Sequence, residues 1–411
     1  MSRGAPVPAP RADGGVPSPW AHVVRVAAAL AAGMGVGRFV YTPILPLMHA
    51  RAGLSTDAGA HLATANYVGY LLGALAGTLL PALVRSRAVL RGSLVLLVGT
   101  LAAMPATHST TAWMALRLLA GAASALIFVV AVSSLLGHLR DHPPHLPGWG
   151  FGGVGAGIAL SGLLVLALRS VADWRVAWWS SAALATALAT AAWNLRPEVP
   201  AATSTEAPAT RVDRRFGALF VGYTLEGVGY IVAGTFLVAA IGQSSPGRLG
   251  SGAWVLVGLA AVPSSALWAR LGRRWSRPGL LCVALLIQAV GIALPALVGG
   301  VAAALLSAVL FGATFIGVST LALATGAELR FPRSVALLTA GYSVGQILGP
   351  LTVAPLLHHG YRPALLLAAA VVLAAAAAAA VLRIGFPHHA VAVRHSVPDQ
   401  ARRTAPTDAG H

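Results

Sequence analysis

The chain has 411 residues, of which 57% are hydrophobic and 9% are charged. A soluble globular domain has about 25% charged residues, so this composition excludes a soluble protein. The basic residues are all arginine, 28 against 11 acidic residues, and they are spread among short loops instead of forming a patch with aromatic residues. Nucleic acid is therefore not expected as a partner. The single cysteine, Cys282, excludes a disulfide framework.

Twelve apolar runs follow one another, and each is long enough to cross a bilayer as a helix. They cover residues 21–48, 60–83, 91–107, 111–137, 149–168, 174–195, 215–242, 250–271, 279–299, 301–326, 334–357 and 363–384. The sequence therefore predicts an all-α membrane protein with twelve transmembrane helices, called spans 1 to 12 here. It is expected to contact membrane lipid and to be a monomer.

The segments outside the spans predict the domain organisation. Residues 1–20 and 386–411 are rich in small or polar residues and proline, and are expected to be disordered tails. Residues 1–20 do not predict a signal peptide, because the apolar segment that follows is too long and further spans succeed it. The longest segment between spans, 196–214, is expected to link two six-helix halves, 21–195 and 215–385.

The arginines predict the orientation in the membrane. The tails, the alternate loops on their side and the adjoining ends of the spans hold 21 arginines, and the loops and span ends of the opposite side hold five, which are Arg51, Arg169, Arg175, Arg248 and Arg362. Cytoplasmic loops carry an excess of basic residues. We therefore expect both termini and the linker to be cytoplasmic, in a multi-pass protein of the bacterial inner membrane.

Three motifs of the first half recur in the second half, in order and at nearly the same offset. They are Gly35-Val36-Gly37 with Gly227-Val228-Gly229, the ladder of Gly153, Gly157 and Ser161 with that of Gly341, Gly345 and Gly349, and the arginine-rich segment 85–91 with 270–277. Internal repeats of this kind are typical of transporters. The sequence thus predicts two pseudo-symmetric halves.

This arrangement resembles the major facilitator superfamily (MFS) of secondary transporters. The run Arg270-Leu271-Gly272-Arg273-Arg274 is similar to the superfamily's loop signature D-R-x-G-R-R, with Ala269 in place of the aspartate. The run Arg117-Leu118-Leu119-Ala120-Gly121 is similar to the R-x-x-Q-G element of proton-coupled members, with Ala120 in place of the glutamine.

Four further segments resemble the YbfB/YjiJ-type branch of that superfamily. They are residues 35–48, 53–55, 63–73 and 153–162. The resemblance extends over residues 21–385 and implies the fold and a transport activity. It leaves the substrate open.

Charged residues within the spans are the first functional candidates, because each costs about 2.5–3.5 kcal/mol or more inside a bilayer. Arg38 in span 1 and Glu226 in span 7 are both expected to face a central cavity. Arg38 would bind an anionic group or act as a gate. Glu226 would bind a proton or a cationic substrate group, and is the best candidate for a proton carrier by elimination. The alternative is an Arg38–Glu226 ion pair that locks the two halves together.

Arg117 in span 4 has two interpretations. Its side chain can extend to the outer headgroups, or it can take part in proton coupling, as the resemblance to the R-x-x-Q-G element implies.

Polar and aromatic residues within the spans are predicted to line a substrate site, because such groups need a polar partner or a watery cavity in lipid. The predicted substrate-binding residues, besides Arg38, are Tyr41, Asn66, Tyr67, Tyr70, Tyr223, Tyr230, Tyr342 and Gln346. For each one singly, a hydrogen bond between helices is the alternative.

Two other features have weaker interpretations. Pro43 and Pro46 predict a break near the outer end of span 1. The string His138, Asp141, His142 and His145 contains metal-ligand residue types. Prolines at positions 143 and 144 disrupt the spacing that would bring those side chains together, so a solvated loop without metal is expected.

The sequence predicts a protein that is not an enzyme and has no cofactor. Its predicted function is secondary active transport of a small organic solute by alternating access, coupled to protons. No Walker lysine supports ATP-driven transport. The alternatives are a membrane enzyme built on the His138–His145 cluster, or a sensor that binds a solute without moving it.

Overall fold

The computed structural model describes residues 19–139, 142, 146–168, 173–197, 214–244, 249–329, 331 and 333–383. Within these ranges the chain is helical and contains no strand. Apart from a few residues at their ends, the predicted tails 1–20 and 386–411 and the linker 196–214 lie outside the described residues.

In the part of the chain that the structure describes, twelve long helices follow the order of the predicted spans. They are α1 (Pro19–Arg51), α2 (Thr56–Leu79), α3 (Arg87–Ala103), α4 (Thr110–His138), α5 (Leu146–Leu168), α6 (Trp174–Ala192), α7 (Arg214–Ser244), α8 (Leu249–Leu271), α9 (Arg277–Leu297), α10 (Gly300–Glu328), α11 (Ser334–Leu357) and α12 (Tyr361–Arg383). By length and composition, eleven of them are able to cross a membrane. The remaining helix, α6, carries Arg175 and three tryptophans near its start. The predicted all-α membrane fold is confirmed.

Helices of the two halves pair in equivalent ways. In the first half α1 contacts α5, α2 contacts α4, and α3 contacts α4 and α6. In the second half α7 contacts α11, α8 contacts α10, and α9 contacts α10 and α12, so each contact recurs six helices later. The halves meet along α5 with α8 and α2 with α11.

The predicted glycine ladders explain two of the equivalent contacts. A Cβ atom on Gly35 of α1 would lie 2.5 Å from the Cα atom of Gly157 of α5. In the second half a Cβ atom on Gly345 of α11 would overlap the backbone carbonyl of Thr224 of α7. Glycine at these positions lets two helix backbones approach closely.

The helix α1 is interrupted in its middle. An α-helical part, Pro19–Leu30, leads into a π-helical turn, Ala31–Val36, and residues 37–40 form a turn before the helix resumes at Tyr41. In the π-helical part the N–H of Gly37 donates to the carbonyl of Ala32, at 2.8 Å and five residues back. Such π-bulges are frequent at functional sites.

The interruption corrects the predicted break at the prolines. Pro43 lies in the first turn of the resumed helix, where proline is tolerated, and the helix continues through Pro46. Pro43 has no N–H to donate to the carbonyl of Phe39, so the regular helical hydrogen bond to Phe39, one turn before the proline, is missing. The break therefore lies at Arg38 and its neighbours, closer to the middle of α1 than the prolines themselves.

We call the end of the bundle at which α1 begins and α12 ends the terminus end. The helices α7 and α9 also begin there, and α10 ends there, where Arg277 of α9 forms an ion pair with Glu328 of α10 at 3.3 Å. At the opposite end, His358 after α11 lies 3.3 Å from Asp57 at the start of α2. This second contact joins the two halves.

Candidate functional site

Arg38 lies on the turn that interrupts α1, and its side chain is 3% exposed. Its guanidinium carbon is 4.2 Å from the ring centre of Tyr70 and 5.0 Å from that of Tyr67. Aromatic faces attract a cation, and the attraction is stronger when water is excluded. The Nε and Nη2 atoms of Arg38 have no hydrogen-bond partner. The site therefore combines a buried positive charge with unused donors.

Arg117 supports the turn on which Arg38 lies. Its Nη1 atom donates to the carbonyl of Gly37 and its Nη2 atom to that of Arg38, each at 3.2 Å. Its guanidinium also lies 4.9 Å from the ring centre of Tyr41, and the side chain is 1% exposed. Arg117 thus points into the protein and not to the lipid headgroups.

Three of the predicted residues on α1 and α2 make internal hydrogen bonds. The Tyr41 hydroxyl donates to the carbonyl of Gly59 at 2.8 Å, and the Asn66 amide donates to the carbonyl of Arg117 at 2.9 Å. The Tyr67 hydroxyl lies 2.8 Å from Thr235 of α7. Tyr41 therefore joins helices of one half, whereas Tyr67 joins the two halves.

Aromatic rings continue from Arg38 into the second half. Phe39 meets Phe315 of α10 edge to face, with ring centres 5.6 Å apart. Phe315 stacks on Tyr230 at 5.5 Å, and Tyr230 stacks on Tyr342 of α11 at 5.3 Å. Tyr342 in turn stacks on Tyr223 of α7 at 4.4 Å. The structure thus brings together the predicted tyrosines of α7 and α11.

Sequence reasoning missed Phe39 and Phe315, because a phenylalanine in an apolar span carries no distinguishing signal.

Gln346 lies one turn after Tyr342 on α11 and is 1% exposed. Neither atom of its side-chain amide has a hydrogen-bond partner. A buried amide without partners costs free energy, so Gln346 is suited to bind a polar group of a solute. The contacts of the described residues do not link Gln346 to Arg38.

Glu226 is fully buried in α7, and its partner is Gln288 of α9. The Gln288 amide nitrogen donates to Oε1 of Glu226 at 3.3 Å, and Oε2 of Glu226 has no partner. Arg38 does not form an ion pair with Glu226, and Tyr230 lies within electrostatic reach of both. Sequence reasoning missed Gln288, although an amide in the apolar span 9 is the same signal that identified Gln346.

Part of the histidine string lies in the described residues. The rings of His22 and His138 stack at 4.0 Å, and those of His138 and His142 at 6.1 Å. Asp141 and His145 lie outside the described residues. Among the residues that the structure does describe, no group of three or more His, Cys, Asp or Glu side chains is arranged to hold a metal ion.

Across the described residues, twelve long helices in two equivalent sets, with charged and aromatic side chains buried between them, define a multi-pass α-helical membrane protein. Residues 30–380 match the family model described as "Uncharacterised MFS-type transporter YbfB", and the chain belongs to this family of MFS-type transporters. The resemblance seen in the sequence is thereby confirmed.

Among solved structures, the chain is similar to a crystal structure of a point mutant of the nucleoside transporter NupG. The TM-score is 0.66 at 13% sequence identity, over 88% of this chain and 99% of that one. At this identity the likeness shows the fold alone. Comparison with curated proteins gives no match.

Proposed function

We propose that this transporter moves a small organic solute with an anionic group by alternating access, and that a proton on Glu226 is coupled to the movement. Arg38 binds the anionic group, and the surrounding tyrosines contact the rest of the solute. The protein acts as a monomer without cofactor and has no catalytic activity.

Arg38 carries this proposal. A buried cation needs a counter-charge or hydrogen-bond acceptors, because the low polarity of the interior makes an unpaired charge costly. Arg38 lies near the rings of Tyr67 and Tyr70 but leaves Nε and Nη2 without hydrogen-bond partners. A carboxylate or a similar planar anion accepts two parallel hydrogen bonds from a guanidinium. A bound anionic solute would therefore supply the negative charge and the hydrogen-bond acceptors that Arg38 lacks.

The position of Arg38 also supports alternating access. Thr42, one turn further along α1, donates to the carbonyl of Gly234 on α7, and Tyr67 on α2 bonds to Thr235 beside it. These bonds hold the two halves together between Arg38 and the opposite end of the bundle. A solute that enters or leaves through that end requires them to break.

The arginine count supports the orientation. With 21 arginines on the side of the tails and five on the other, the terminus end is the cytoplasmic one in a bacterial inner membrane. The Asp57–His358 contact then lies on the outer side.

A thermal-stability screen of the purified protein tests the binding proposal. The probes are small monocarboxylates and sulfonates together with their uncharged analogues. A ligand that binds only the folded state raises the unfolding temperature, and the effect grows with the ratio of free ligand concentration to Kd. We expect an anion to stabilise the parent protein and the Arg25→Ala variant, which loses an exposed arginine of the same helix, but not Arg38→Ala. Equal stabilisation of all three proteins would contradict a role for Arg38 in binding.

Transport in proteoliposomes tests the coupling. The anion found in the screen is supplied with a pH gradient, and separately as radiolabelled counterflow without a gradient. We expect Glu226→Gln to lose gradient-driven accumulation and to keep counterflow. Intact gradient-driven accumulation in Glu226→Gln would exclude coupling through this residue.

A further inference from the structure

Glu226 and Gln288 have complementary unused atoms. One bond is made, from Nε2 of Gln288 to Oε1 of Glu226, at 3.3 Å. Oε2 of the same carboxyl group and Oε1 of the same amide are both buried without a partner. A protonated carboxyl group has one O–H donor, and an amide oxygen accepts. A proton on Oε2 would therefore satisfy both atoms at once and close a two-bond pair between acid and amide.

A small cavity lies beside Glu226, inside the second half. Its walls come from α7, α9, α10 and α12, and Glu226 and Tyr223 are the only polar residues among those that line it. On α7 the lining runs from Ala218 to Glu226, which is about 12 Å of helix rise. On α9 and α12 it is formed by residues near the terminus end, such as Leu281 and Ala379. The cavity thus extends from the carboxyl group toward the terminus end.

The groups around Glu226 leave Gln288 as its specific partner. The titratable groups within electrostatic reach are Tyr223 and Tyr230 on its own helix and Tyr342 on α11. The facing part of α12 is alanine, and α10 contributes Val318. Arg38 of α1 acts on Tyr230 but forms no ion pair with Glu226, and Arg277, Glu328 and Arg383 lie at the terminus end of the bundle.

We infer that Glu226 and Gln288 form a proton-binding site within the second half, separate from the solute site at Arg38, and that the cavity connects it to the terminus end. The inference rests on the proposed coupling role of Glu226 and specifies where the proton is bound, by which partner and from which side it arrives. Gln288 is a positioning residue that accepts the hydrogen bond of the bound proton. The cavity is the path along which we expect protons to reach the carboxyl group.

Infrared difference spectroscopy on the full-length protein in liposomes tests the site with the proton itself as the probe, so that no solute is needed. At neutral pH exposed carboxyl groups are ionised, and the carbonyl band of a protonated carboxylic acid reports buried ones. We expect this band in the parent protein and its loss in Glu226→Gln. In Gln288→Leu we expect the band to shift to higher frequency, because its hydrogen-bond partner is gone. Ser307→Ala, which removes a different buried polar contact to α9, should leave the band unchanged.

Exchange of the same band in D2O tests the cavity. We expect Ala379→Leu, which fills the cavity from α12, to slow the exchange, and Leu281→Phe to do the same from the opposite wall if the first variant does not fold. The control is Leu373→Phe, which enlarges an exposed apolar residue of α12. Unchanged exchange in folded cavity-filling variants would overturn the inferred route.

The outcomes separate this inference from the proposed function. If the band is absent, or is unaltered in Glu226→Gln, the proton site is overturned whatever the transport assay shows. If the band behaves as expected but a pH gradient does not drive flux in the parent protein, the site stands and the proposed coupling fails. A band that is lost in Glu226→Gln but unshifted in Gln288→Leu would overturn the role of Gln288.

Discussion

The Nη2 atom of Arg117 donates a 3.2 Å hydrogen bond to the backbone carbonyl of Arg38. The side chain of one buried arginine therefore stabilises the backbone at another. The two side chains diverge, since that of Arg38 lies against Tyr70 and that of Arg117 against Tyr41. The interruption of α1 leaves carbonyls without regular helical partners, and Arg117 from α4 satisfies two of them. Arg117 is therefore a positioning residue for Arg38.

Replacement of Arg117 by methionine should destabilise the protein by about 1.5–3 kcal/mol, the usual range for hydrogen bonds to a charged group. The measurement is the free energy of unfolding in a denaturant titration of detergent-solubilised protein. Arg91→Met is the matched control, because Arg91 also donates to a backbone carbonyl, that of Trp193, and lies over its ring, but at an exposed position. The control should lose about 0.5 kcal/mol or less. Equal losses in the two variants would contradict the supporting role of Arg117.

Replacement of Gly35 by alanine should cost about 1–3 kcal/mol or more, the usual cost of overpacking. The added Cβ atom would lie 2.5 Å from the Cα atom of Gly157, and backbone atoms cannot move aside as a side-chain end can. The control is Gly99→Ala on α3, where a Cβ atom meets nothing within 4 Å. The control should be neutral or stabilising by up to about 1 kcal/mol, because alanine favours a helix more than glycine does. Thermal unfolding of both variants compares them directly, and a stable Gly35→Ala protein would show that α1 and α5 separate easily.

The sequence predicted the fold well, because a chain that crosses lipid must satisfy its backbone within each span. The order of the twelve helices followed from hydropathy, and the recurrence of the glycine ladder of α5 in α11 followed from small residues at regular spacing. The position of the break in α1 did not follow. Proline identifies a disturbed helix, but α1 is interrupted two to three turns before Pro43, by a π-helical turn at Ala31–Val36 and a turn at residues 37–40.

The candidate site was predictable only as a set of residues. Burial cost identified Arg38, Glu226 and Arg117 without their partners, because contacts between helices depend on rotation about each helix axis. Glu226 was expected to face a central cavity, and the structure gives it Gln288 as a partner on α9. An amide within any span carries the same signal as those on spans 1, 2, 7 and 11, and Gln288 in span 9 is such an amide.

Reporter fusions test the predicted orientation of the chain in the membrane. Alkaline phosphatase is active only outside the cytoplasm, so fusions on the two sides of one helix report its direction. With the terminus end in the cytoplasm, a fusion after residue 209 should be inactive, and a fusion after residue 247, beyond α7, should be active. Green fluorescent protein fused after residue 411 should fluoresce. The reverse pattern of phosphatase activity would invert the orientation drawn from the arginine count.

Replacement of Tyr67 by phenylalanine should favour separation of the two halves at the end of the bundle opposite the terminus end. Tyr67 donates a 2.8 Å hydrogen bond to Thr235 across the two halves, and Thr235 already donates its own proton to the carbonyl of Ile231. The net value of such a bond is about 1 kcal/mol, so its loss should raise the population in which that end is open about fivefold.

Distances between spin labels measure this population. In a Cys282→Ala background, which removes the single native cysteine, labels are attached to Asp57→Cys and His358→Cys, on the two sides of the contact at the opposite end. We expect Tyr67→Phe to increase the long-distance fraction. Tyr41→Phe is the matched control, because it removes a buried bond of the same 2.8 Å length within one half, to Gly59. If both variants shift the distances alike, the effect comes from loss of a buried hydroxyl in general and not from release of the contact between the halves.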